Sequence, residues 1–66
     1  MRGRVDPLWT TEDLAEHLGI PERTLRQWRY LGEGPPWLKL GGHHVRYDPG
    51  AVAAWKAECV MRPRSA

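Results

Sequence analysis

Leu14, Ala15 and Leu18 recur at the three-to-four spacing of one buried helical face, and Leu25 and Trp28 repeat that spacing after Gly19. Two short helices are predicted. The first opens at Thr10-Thr11-Glu12-Asp13, where a Thr hydroxyl can accept from the free amides of the first turn and the carboxylates suit the positive end of the helix dipole. It begins near Thr11, and Gly19 supplies the left-handed residue that stops it. Only Gly19 and Ile20 separate it from Pro21, expected at the first position of the second helix because its ring presets φ and it lacks an amide. Leu25 and Trp28, with Thr24 and Leu31 at their margins, make the inner stripe of this helix. Arg23, Arg26, Gln27 and Tyr30 fall on another face, with Arg29 flanking them.

Gly32, Gly34 and Pro35-Pro36 end the second helix and force an extended connector. Beyond it, Trp37-Leu38-Lys39-Leu40 and Val45-Arg46-Tyr47 are β-prone runs around Gly41-Gly42-His43-His44, the pattern of a hairpin. Leu38, Leu40, Val45 and Tyr47 are expected to face the core, and Lys39 and Arg46 to face outward, because side chains alternate along a strand. Asp48-Pro49 is a cap followed by a first-turn proline, so a third helix is expected from about Pro49 to Glu58 with Val52 and Trp55 packed inward. The domain spans 8–59, between a basic arm over 1–7 and a basic tail over 60–66. Its class is mainly α with a small β-hairpin.

Composition narrows the functional classes. A chain of 66 residues has room for one small domain, in which a deep substrate cleft would compete with the core for the same few apolar side chains, so catalysis is not expected. The single Cys, Cys59, cannot close an intrachain disulfide, and no apolar run is long enough for a signal peptide or a membrane span. A soluble protein of a reducing cytoplasm is expected. Cys59 is read as an ordinary buried helix Cys rather than a nucleophile, since no base can be assigned to it. His43 and His44, adjacent in a strand, would point to opposite faces, so no metal site and no cofactor are expected. Trp28 and Trp55 are assigned to the core rather than to a base-stacking platform, and Trp37, beside Pro36, is expected to be the more exposed.

The net charge of +2 is mild, and its distribution says more. Residues 6 to 20 carry Asp6, Glu12, Asp13 and Glu16 with no Lys or Arg, whereas residues 21 to 47 carry Arg23, Arg26, Arg29, Lys39 and Arg46 against Glu22 and Glu33. Two short helices joined by a glycine turn, the second basic on its exposed face, make a helix-turn-helix, and the hairpin after them makes it winged. Arg can form forked bonds to guanine and Gln to adenine, so Arg23, Arg26 and Gln27 are candidate base readers in double-stranded DNA. Glu22, Thr24, Arg29 and Tyr30 complete the candidate recognition helix. Lys39, Gly41, Gly42, His43, His44 and Arg46 form the candidate wing contact.

The segments "LWTTEDLAEHLGIPERTLRQW" and "GPPWLKLGGHHVRYDPGAVAAW" resemble the opening, wing and closing helix of the excisionase-type winged helix-turn-helix proteins, relatives of the mercury-resistance regulator class. The likeness runs from Leu8 to about Glu58, and it departs at His43-His44, where relatives often carry Arg at the wing tip. It implies a helix in the major groove, a wing in the minor groove, and a directionality factor for a phage or plasmid integrase. With no heptad repeat and no further helix for a symmetric dimer, copies are expected head to tail on adjacent sites, bending the duplex. A small transcriptional regulator using the same surface is the alternative. A protein-interaction module would suit an acidic second helix, which Arg23, Arg26 and Arg29 contradict.

Overall fold

The computed structural model describes residues 7–61. Of the basic arm expected over 1–7 and the basic tail expected over 60–66, residues 1–6 and 62–66 lie outside the described residues. Three helices and one hairpin follow in the order α1 (Thr11–Leu18), α2 (Glu22–Leu31), β1 (Leu38–Leu40), β2 (His44–Arg46) and α3 (Pro49–Glu58). This is the expected mainly helical architecture with a two-stranded antiparallel wing.

Local chemistry starts and stops each helix where the sequence signals stand. Thr10 and Asp13 form a reciprocal capping box: the Asp13 amide donates to Thr10 Oγ1 at 3.0 Å and the Thr10 amide donates to Asp13 Oδ2 at 3.1 Å. Asp48 caps α3 by accepting from the Ala51 amide at 3.0 Å, with Pro49 in the first turn. Pro21 stands one residue earlier than expected, as the N-cap of α2 rather than its first residue. Its φ of −61° suits either position, but its ψ of 146° is extended, so the helical path begins at Glu22.

Among the described residues, Leu14, Leu25, Tyr47 and Val52 form the fully buried hydrophobic core, contributed in turn by α1, α2, the residue after β2, and α3. Trp9, Ala15, Leu18, Trp28, Val45 and Trp55 pack around them half-buried. Trp28 and Trp55 meet with ring centroids 6.0 Å apart and planes tilted by 55°, which closes α2 onto α3. Gly34 makes that seat possible. Its φ is +86°, and a Cβ there would sit 2.8 Å from Trp28 Cε3, so both backbone and space demand glycine. Leu31, placed at the margin of the inner stripe, is instead exposed past the end of the packed face.

The hairpin departs from expectation. Leu38 pairs with Arg46, Lys39 with Val45, and Leu40 with His44, so the turn holds three residues, Gly41 to His43, and His44 belongs to β2. Gly41 and Gly42 both take positive φ, 60° and 87°, which carries the chain through this short turn. One residue less in the turn exchanges the faces of β1 relative to β2, because side chains alternate with a period of two. Leu38 and Leu40 therefore share the outer face with Arg46 and His44 and are 40% and 43% exposed, not core residues. Lys39 shares its face with Val45 rather than with Arg46. Cys59 is likewise exposed, as the C-cap of α3, and not the buried helix residue expected.

Leu25→Ala and Leu40→Ala test both the core and the register. The first should destabilise the domain by about 2–5 kcal/mol, the second by less than about 1 kcal/mol, in chemical unfolding followed by circular dichroism. Comparable losses in the two variants would restore Leu40 to the core.

Candidate nucleic-acid interface

With Leu25 buried and Trp28 half-buried, helical periodicity turns Arg23, Arg26, Gln27 and Tyr30 outward, and all four are exposed, Tyr30 at 89%. At about 1.5 Å per residue the ten residues of α2 make a rod roughly 15 Å long, which matches a major groove about 12 Å wide. Glu22 and Thr24 are half-buried at its start. Arg26 Nη1 donates to Glu22 Oε1 at 3.0 Å, an exposed pair one helical turn apart. In solvent such a pair contributes little to stability, so it orients Arg26 more than it holds the fold.

Arg29 is placed differently from the other two arginines. Its Nη1 donates to Tyr47 Oη at 2.8 Å and to Thr11 Oγ1 at 3.2 Å, and its Cζ lies 5.7 Å from the centroid of the Trp37 ring. The side chain is thus turned into the seam between α2, the start of α1 and the stem of the hairpin. Sequence spacing carries no signal for this, since both hydroxyl partners lie 18 residues away along the chain.

The wing presents Lys39, Gly41, Gly42, His43 and His44 as exposed residues and Arg46 half-buried. Arg46 Nη1 donates to the Val45 carbonyl at 2.7 Å. His43 does not point away from His44: it lies in the turn, and the two rings meet with centroids 4.2 Å apart and planes tilted by 39°. Among the described residues no group of three His, Cys, Asp or Glu side chains gathers at metal-binding distance.

Two of the acidic side chains lie together on α1. Asp13 and Glu16 on α1 line an open depression with Pro7, Leu8, Trp9 and His17. There the Trp9 and His17 rings lie 4.5 Å apart, and the Lys56 ammonium donates to His17 Nε2 at 2.9 Å, tying α1 to α3. Arg23 and Arg26 thus stand on α2, with Glu22 beside Arg26, while Asp13 and Glu16 stand on α1.

A family model described as a helix-turn-helix domain matches residues 10–60. The chain belongs to the helix-turn-helix domain family. No curated protein and no solved structure matches it. The matched span takes in the three helices and the hairpin of the described residues. DNA binding is the function this membership carries. Among the described residues, no helix of this helix-turn-helix domain is long and apolar enough to cross a membrane.

Glu22→Gln removes one charge from the exposed face of α2 and releases Arg26 from its partner. Stability should change by no more than about 0.5 kcal/mol. Duplex binding should tighten severalfold at low salt, the gain shrinking as salt is added. A parallel thermal melt and anisotropy titration measure both.

Proposed function

We propose that this domain is an architectural DNA-binding protein, an excisionase-type factor that bends attachment-site DNA and turns a phage or plasmid integrase toward excision. The observation that carries the reading is the exposed row Arg23, Arg26 and Gln27 on α2, beside a two-stranded wing in the chain order helix, helix, wing, helix. The resemblance of Leu8 to Glu58 to excisionase-type proteins selects this role over that of a small transcriptional regulator, which would use the same surface.

In this reading α2 enters the major groove. Arg23, Arg26 and Gln27 discriminate bases, Arg by a forked pair of bonds to guanine and Gln to adenine. Glu22, Thr24 and Tyr30 border the contact. The wing lies along the minor groove, where Lys39 and Arg46 add affinity with little sequence preference and the Gly41-Gly42 turn brings backbone close to the phosphates. His43 and His44 cap the wing tip. One such module buries only roughly 600–1,000 Å² on DNA, so specificity comes from several copies head to tail, whose repeated insertions bend the duplex.

Association should be directed to duplex DNA and sensitive to salt. About four to six phosphate contacts imply a log-log salt slope of roughly −4 to −5 in fluorescence anisotropy. Arg26→Ala should cost about 1–3 kcal/mol on the cognate site and flatten base preference, and Arg46→Ala should weaken all sequences alike. A slope near zero, or tighter binding to single strands, would remove the double-strand reading.

The architectural role is tested separately, by gel shifts on fragments carrying one, two or three sites together with circular-permutation bending. Cooperative filling and a bend that grows with occupancy are expected. Independent binding on unbent DNA would leave the transcriptional regulator in its place.

A further inference from the structure

The wing has little packing of its own to aim it. All three residues of β1 are exposed, and β2 adds one exposed and two half-buried residues. What anchors the hairpin is its stem. On one side, Tyr47 is buried, and its backbone exchanges two 2.8 Å hydrogen bonds with Trp9, just ahead of α1. On the other, Trp37 leads into β1. Both stem residues converge on one side chain from α2: Arg29 bonds the Tyr47 hydroxyl and lies over the Trp37 ring, while the same nitrogen also bonds Thr11 at the start of α1.

From this convergence we infer that Arg29 is a positioning residue: it sets the wing against the recognition helix and is not a phosphate ligand. The inference rests on the DNA reading above, in which helix and wing engage the duplex together. Two binding elements help each other only when the link between them holds both at the spacing of their sites, so a loosened wing forfeits the advantage of being tethered. The guanidinium suits this task. Its planar fork of donors can serve two hydroxyls from one position while its face lies against an indole, a combination that the point charge of Lys cannot reproduce. Tyr47 is well chosen as the receiver, since the rest of its side chain is locked in the core and its hydroxyl has no freedom to follow a moving partner.

The test separates position from charge. Arg29→Met, Arg29→Lys and Tyr47→Phe are compared with the unaltered chain by anisotropy on duplex DNA across a salt series. In parallel, the fluorine resonance of Trp37 is followed in fluorotryptophan-labelled protein and assigned with Trp37→Phe. Arg29→Met and Tyr47→Phe should each weaken binding about tenfold with the salt slope unchanged, Arg29→Lys should not recover the loss, and the Trp37 resonance should move in both Arg29 variants. The inference is overturned if Arg29→Met makes the slope shallower by about 0.9 and Arg29→Lys restores affinity, which is the behaviour of a phosphate contact. It is equally overturned if Tyr47→Phe binds as the unaltered chain does, a variant that keeps the buried ring and so carries the test should Arg29→Met fail to fold. Absence of duplex binding by the unaltered chain would instead defeat the DNA reading, and the Trp37 resonance would still report whether Arg29 grips the stem.

Discussion

Everything in this domain hangs on four side chains meeting in one place. Leu14, Leu25, Tyr47 and Val52 come one each from α1, α2, the wing stem and α3, so no two elements can bury their apolar face without the others. Burying a Leu-sized side chain contributes about 1.5–3 kcal/mol, and a domain of this size has a net stability of the same order as a few such groups. Folding is consequently cooperative by necessity. The tryptophans widen this small centre from its rim, and Gly34 marks how tightly the rim closes, since a single methyl there would run into Trp28.

Three arginines spaced three residues apart along α2 divide their labour because of helix geometry alone. Each step of three residues falls about 60° short of a full turn, so the row winds around the rod rather than running straight along it. Arg23 lies exposed, Arg26 is exposed and leans on Glu22 one turn back, and by Arg29 the row has rotated into the seam against α1 and the wing stem. The exposed arginines of α2 are therefore confined to its first two turns.

Much of this was legible in the sequence, and the parts that were not share a cause. Caps such as Thr10 with Asp13 and Asp48 with Pro49 act over three residues, so a local reading finds them. Apolar spacing located Leu14, Leu25 and Val52 for the same reason. The wing face was misassigned because Gly41-Gly42-His43-His44 admits turns of three or four residues, and one residue decides which side of the strand Leu38 and Leu40 take. Arg29 was grouped with its helical neighbours because nothing within a helical turn reveals hydroxyls that arrive from Thr11 and Tyr47. Cysteine is a residue type usually found buried, but Cys59 stands at the end of α3 and is exposed there.

A core of four residues has one further consequence, for the lifetime of the protein. Proteases cut chains that have opened, and where opening is fast the rate of loss follows the population of the open form. A ligand that binds only the folded state lowers that population in proportion to its occupancy. For a marginally stable DNA-binding domain, the bound copies are therefore the protected ones and the free copies are the ones cleared. Turnover then removes the surplus while sparing the molecules already at work on the duplex.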